Sequence, residues 1–142
     1  MIDTLPAPAL DWAWFLDLDG TLIDIAPTPG AVLIPPSLVN DLVRLRQACG
    51  GALAVVSGRP LISIHELLYP LKPAAAGLHG LARMQAGETP SSVIAPDPRL
   101  NPVRAAFQAF VHGNPGTVLE DKGVMVALHY RQAPDREDAA RA

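Results

Sequence analysis

The stretch Trp12-Ala13-Trp14-Phe15-Leu16-Asp17-Leu18-Asp19-Gly20-Thr21-Leu22 decides the fold. Its opening, Trp12 to Leu16, is a continuous apolar run, the pattern of a strand buried in a parallel sheet. The run stops at two acids separated by one residue. At a strand end, Asp17 and Asp19 both reach the loop beyond the sheet, where open α/β folds bind ligands. Two carboxylates held that close repel, so a bound divalent cation is a natural third member. Gly20 permits the sharp turn, and the amides that follow it can face an anion. The plainer reading is an acidic turn that merely caps a strand. The apolar run before it and Gly-Thr-Leu after it weigh against that.

The same pattern recurs downstream. After a proline-broken loop from Ile25 to Pro36, residues Ser37 to Ala48 carry Leu38, Val39, Leu42, Val43 and Leu45 at helical spacing. Pro35-Pro36 stands at the start of that helix and Gly50-Gly51 past its end. Ala52 to Val56 reads as a second buried strand ending at Ser57-Gly58-Arg59-Pro60. Leu61 to Leu68 reads as a short helix, and Ala74 to Leu78 as a third strand ending at His79-Gly80. This is the βαβ rhythm of a parallel α/β sheet. Leu81 to Ile94 reads as a hairpin about Gly87. Past Asp97 the rhythm changes. Asn101 caps a helix with Pro102 at its first position and Val103, Ala106, Phe107, Phe110 and Val111 on one face. Thr117 to Asp121 and Val124 to Tyr130 follow as two strands joined through Lys122-Gly123. Asp135 then caps a last helix with Glu137 and Asp138 in its first turn. The expected division is 1–97, an α/β core segment, and 98–142, part of an α+β unit.

Composition removes several function classes. Hydrophobic residues make up 49% of the 142 residues and charged residues 18%, which excludes a disordered tail. A net charge of −3 provides no basic field for nucleic acid or an anionic membrane, so a small molecule is the expected partner. Cys49, the single cysteine, can make neither an internal disulfide nor a multi-thiolate metal site. Met1-Ile2-Asp3-Thr4 lacks the basic start of a signal peptide, and no apolar stretch reaches the roughly 18 residues of a membrane span. A soluble, cytoplasmic protein is expected.

Asp17-Leu18-Asp19-Gly20-Thr21-Leu22 resembles the first motif of the haloacid-dehalogenase (HAD) phosphatases, and Val55-Val56-Ser57-Gly58-Arg59 resembles their second. The resemblance implies an α/β fold, a HAD-like Rossmannoid parallel-sheet core, here incomplete, with the start of an α+β cap domain. It implies that Asp17 attacks phosphorus and forms an aspartyl-phosphate. Asp19 would protonate the leaving oxygen and then deprotonate the hydrolytic water. Mg²⁺ would be held by the Asp17 side chain and the Asp19 backbone carbonyl. Ser57 and Gly58 would bind the transferring phosphoryl with the helix N-terminus after Pro60, Gly20 and Thr21 would border it, and Arg59 could add a forked contact. Taken alone, Ser-Gly-Arg is also ordinary loop chemistry.

A finer resemblance is to trehalose-6-phosphate phosphatases. It rests on Val56-Ser57-Gly58-Arg59-Pro60, Gly77-Leu78-His79-Gly80, Glu120-Asp121-Lys122 and His129-Tyr130-Arg131. It implies that Glu120 and Lys122 lie on the cap and contact sugar hydroxyls, as a carboxylate and an ammonium together can. By themselves Glu120-Asp121-Lys122 is more simply a charged hairpin turn, His79 a structural residue, and His129 and Arg131 a solvated strand face.

The family pattern needs two further parts after the cap: a lysine that steadies the nucleophile and an acidic cluster that completes the metal shell. The lysines here are Lys72, too early in the order, and Lys122, in the cap segment. Glu120-Asp121 follows an apolar run and could stand in for the metal motif, but Lys122-Gly123-Val124 turns straight back into a strand. The expectation is an N-terminal piece of a longer protein, with an open hydrophobic sheet edge. The parent would be a Mg²⁺-dependent phosphatase converting trehalose 6-phosphate to trehalose, and the 142 residues alone would be inactive. A sucrose- or mannosyl-type sugar phosphatase is the alternative. If the chain ends at Ala142, a non-catalytic phosphosugar-binding module is another.

Overall fold

A computed structural model describes residues 7–27, 29–90 and 95–141 of the chain. The apolar run forms β1 (Trp14–Asp17), which pairs in parallel with β2 (Leu53–Val56) from Trp14 opposite Leu53 to Asp17 opposite Val56. Between them lies α1 (Leu38–Ala48), ended by Gly50 and Gly51 at φ +61° and +92°, a left-handed exit open to glycine. After β2, α2 (Leu61–Leu68) starts at Pro60 and leads to β3 (Ala74–Gly77), parallel to β2.

The sheet order is β1-β2-β3-β4, where β4 (Ala82–Met84) runs antiparallel to β3. Of the hairpin expected about Gly87, the first arm is β4, which pairs with β3, and the returning arm at 91–94 lies outside the described residues. Gly87 sits in a turn closed by the Glu88 amide on the Gln85 carbonyl at 3.3 Å, and its own amide donates to the Lys72 carbonyl at 2.9 Å. Met1 to Pro6 of the expected lead-in also lie outside.

One face of the sheet carries the core. Val55, Ile64 and Leu68 are fully buried, and Leu53 and Leu42 nearly so, each contributing about 1.5–3 kcal/mol. The other face is open. Phe15 of β1 is 73% exposed above a hollow floored by Ala54, Ala74 and Ala76. The two-sided burial expected of β1 is therefore not met. Trp14 and Leu16 are half-buried, while Phe15 and Asp17 face outward.

The chain divides into two compact units, Met1–Ser91 and Ser92–Ala142. In the second, a turn at Pro98–Leu100 runs into α3 (Asn101–Gly113), followed by the antiparallel pair β5 (Val118–Asp121) and β6 (Val126–His129) and the short α4 (Glu137–Arg141). Asn101 does not cap α3 but is its first residue, and Asp97 caps the preceding turn instead. Its carboxylate accepts from the Arg99 amide at 2.9 Å, while the Asn101 side chain accepts from Arg104. Asp135 likewise does not cap. It pairs with Arg136 inside the turn Pro134–Arg136, which Ala133 opens. Phe107, Phe110 and Val111 are half-buried on one face of α3. Among the described residues no helix is long and apolar enough to cross a membrane.

Candidate active site

The parallel register brings the ends of β1 and β2 level, so Asp17-Leu18-Asp19 and Ser57-Gly58-Arg59 emerge side by side at the sheet's carboxyl end. Leu18 between the acids is fully buried, an anchor that leaves Asp17 exposed and Asp19 half-exposed. Asp17 Oδ1 accepts from the Leu18 amide at 2.8 Å, which orients the carboxylate. Gly20 takes φ +83°, as the turn requires. Its amide donates to the Ile23 carbonyl at 2.7 Å, and the Thr21 amide to the Leu18 carbonyl at 3.4 Å. The expectation that these amides face an anion is corrected: they close the turn.

Ser57 is buried, with its amide on the Ala76 carbonyl at 2.9 Å and its hydroxyl accepting from the Arg59 amide at 3.1 Å. A hydroxyl that accepts through its oxygen still has its proton to donate. Arg59 is the larger surprise. Its fork closes on Asp19, Nε to Oδ2 at 2.8 Å and Nη2 to Oδ1 at 2.6 Å, with the Arg59 side chain only 10% exposed. The sequence reading aimed this fork at phosphate. The spacing gave no sign that it neutralises Asp19, the role first assigned to a cation.

The second unit holds the other group. Glu120 on β5 accepts from Lys122 at 3.3 Å and contacts His129 Nε2 on β6 at 2.8 Å. The register that pairs Glu120 with Ala127 and Val118 with His129 makes this a diagonal contact across the ladder. Burial pushes the Glu120 carboxyl up, but the His129 hydrogen bond and the Lys122 ammonium together outweigh it, and the net pKa falls below 4.5. Stability from this shift is present above the ordinary carboxylate value and is lost as pH drops through the lowered one. Carboxyl-resolved NMR titration is expected to place the Glu120 midpoint below 4.5, and Lys122→Ala to raise it. An unmoved midpoint in the variant would show that the ammonium is not the cause.

Sequence reasoning missed Arg104. From α3 it donates to the Asp121 carboxylate at 2.8 Å, to the Asp97 carbonyl at 2.9 Å, and to the Gly123 carbonyl. It therefore braces the turn beside Lys122, and only its place on the α3 face could have hinted at this. Thus Asp19, Ser57 and Arg59 are joined in the first unit, and Glu120, Lys122 and His129 in the second.

The oxygen donors at the first motif suit a hard divalent cation in kind. Asp17 offers a carboxylate, and with the Asp19 side chain held by Arg59, Asp19 offers its backbone carbonyl. They are part of a shell: among the described residues no group of three or more His, Cys, Asp or Glu converges.

A family profile described as trehalose-phosphatase matches residues 15–142. The chain is 39% identical over 134 residues to the trehalose-6-phosphate phosphatase of Escherichia coli (strain K12), covering 94% of this chain and 50% of that protein. It is 44% identical over 128 residues to a probable trehalose-phosphate phosphatase of Sinorhizobium fredii, covering 89% and 48%. Its fold matches the C-terminal domain of the C. albicans trehalose-6-phosphate phosphatase with a TM-score of 0.74 at 23% identity, over 90% of this chain and 46% of that one. The chain thus spans about half the length of the curated relatives it matches. With its first-motif acids and its Ser-Gly-Arg loop set on adjacent parallel strands of a HAD-like sheet, the chain belongs to the trehalose-phosphatase family.

Proposed function

We propose that this chain is part of a cytoplasmic, Mg²⁺-dependent phosphatase that hydrolyses trehalose 6-phosphate to trehalose and phosphate. The observation that carries the reading is the pairing, at one sheet end, of an exposed Asp17 with an Asp19 gripped by Arg59. A nucleophile needs access, and an acid/base needs a fixed position beside it. Residues 98–142 are assigned to the cap, and the steadying lysine and remaining metal acids to parts of the protein outside residues 1–142.

In this reading the Asp17 carboxylate attacks phosphorus in line. The phosphorus–oxygen ester bond breaks, the sugar oxygen takes a proton from Asp19, and an aspartyl-phosphate forms on Asp17. Water then gives its proton to Asp19 and attacks the phosphorus, releasing phosphate and restoring Asp17. The Ser57 hydroxyl donates to a phosphoryl oxygen. The Asp17 carboxylate and the Asp19 carbonyl would hold Mg²⁺, which would neutralise charge on the phosphoryl group. Glu120 and Lys122 read vicinal hydroxyls of the disaccharide by accepting and donating.

The test is phosphate release by the full-length gene product with Mg²⁺ over a panel of sugar phosphates. Trehalose 6-phosphate is expected to have the highest kcat/KM; preference for sucrose 6-phosphate or a mannosyl phosphate would move the assignment to another sugar phosphatase. Lys122→Ala and Glu120→Gln each remove a charge-assisted hydrogen bond, so KM should rise about 10- to 100-fold with kcat within about 3-fold. A loss confined to kcat would take the pair out of sugar binding.

A further inference from the structure

The segment Gly77-Leu78-His79-Gly80 is part of the family resemblance, yet the reaction outlined above makes no use of it. Its backbone is unusual. Leu78 and His79 take φ +52° and +54° in succession, a region that favours glycine, although neither is one. What holds them there is the neighbouring loop. The Leu78 amide donates to the Arg59 carbonyl at 2.9 Å and the His79 amide to the Ser57 carbonyl at 3.2 Å. The His79 ring lies directly on Gly58. A Cβ at position 58 would stand 2.6 Å from His79 Nε2 and 2.7 Å from its Cε1. A Cβ at Gly77 would stand 2.7 Å from the Arg59 carbonyl oxygen. Two glycines thus let the two loops approach, and the imidazole fills the space that the first leaves.

We propose that His79 is a positioning residue for the phosphoryl-binding loop, its ring and strained backbone clamping Ser57-Gly58-Arg59 in one conformation. The clamp rests on the phosphatase reading above and deepens it. The same short loop presents the Ser57 hydroxyl and carries the fork that grips Asp19, so a shift at Gly58 moves both. Glycine at 79 removes the ring and the strain together. That strain is retained at a site whose exposed imidazole makes its close contact with a loop glycine, which is the pattern of a conformational constraint on that loop.

The experiment is a double-mutant cycle, Gly58→Ala by His79→Gly, in the full-length protein. Gly58→Ala drives a methyl into the ring and should lower kcat about 10- to 100-fold, since displacements near 1 Å cost that much. His79→Gly should lower kcat and weaken inorganic phosphate binding by about 10-fold each, leaving inhibition by trehalose within about 2-fold. In the His79→Gly background, Gly58→Ala should cost less than about 3-fold, because its steric target is gone. His79→Asn keeps a residue tolerant of positive φ but removes the ring, and should show the same losses, which carries the test should His79→Gly not fold. Thermal unfolding of each variant confirms that a folded protein is being read. Phosphate affinity at wild-type level in both position-79 variants, or an additive cycle, would overturn the clamp. Phosphate binding by calorimetry needs no turnover, so the clamp is tested even in a protein that hydrolyses none of the panel; that outcome removes the phosphatase reading alone.

Discussion

Asp17→Asn is expected to abolish phosphate release from trehalose 6-phosphate in the full-length protein, by at least about 10⁴-fold in kcat, while the fold persists. The size follows from the chemistry. An amide oxygen lacks the charge that attacks phosphorus, and the neighbouring carboxylate, Asp19, is held by Arg59. The persistence of the fold follows from the site. Asp17 is exposed at the end of β1, and its bond to the Leu18 amide uses Oδ1, which asparagine keeps. The buried anchor of the loop is Leu18, which the substitution leaves alone. Two measurements decide it: phosphate release under saturating Mg²⁺, and thermal unfolding of the same preparation. Wild-type turnover in a folded Asp17→Asn protein would remove the covalent mechanism. A collapse of the melting temperature would show instead that the carboxylate is structural.

What could be read from the chain follows a physical divide. Local signals were legible. Pro60 and Pro70 bracket Leu61–Leu68, and that helix forms between those bounds. Gly50-Gly51 ends α1 because only glycine enters the left-handed exit cheaply. The parallel pair that carries both motifs follows from two apolar runs ending in polar loops. Choices between partners were not legible. Ala82–Met84 could fold back on residues after Gly87 or return to β3, and the strand pattern is the same in both cases. Asn101 before Pro102 has the type and place of a cap, but the turn at Pro98–Leu100 runs straight into α3 and makes Asn101 a helical residue. Arg59 offers a fork that fits phosphate and carboxylate equally, so residue type alone could not predict that Asp19 takes it. Glu120 and Lys122 were visible as a charged turn, but the diagonal contact with His129 needed the register of β5 against β6.

The Arg59 fork leads to the second large effect. Arg59→Ala should lower kcat on trehalose 6-phosphate about 100-fold, within the range that general acid–base groups contribute. Asp19 sits two residues beyond the nucleophile, and two nitrogens of one planar group fix both of its oxygens. Without the fork the carboxyl group remains but loses its aim. Arg59→Lys should recover only part of the loss, since an ammonium supplies charge without the paired geometry. Stability should fall by about 1–3 kcal/mol, toward the lower end because the Asp19 side chain is 35% exposed and water replaces part of the interaction. Leaving-group chemistry separates aim from mere destabilisation. A sugar alkoxide departs only with a proton, whereas p-nitrophenolate departs without one. In kcat/KM, which reports the steps through departure of the leaving group, the Arg59→Ala defect should therefore be severe on the sugar phosphate and small on p-nitrophenyl phosphate, and Asp19→Asn should share that profile, while hydrolysis of the aspartyl-phosphate, which Asp19 serves as base, slows alike for both. If Arg59 acts through Asp19, the double variant is no slower than Asp19→Asn alone. Equal losses of kcat/KM on both substrates, or additive losses in the double variant, would mean that Arg59 acts on the phosphoryl group itself and that its grip on Asp19 is incidental.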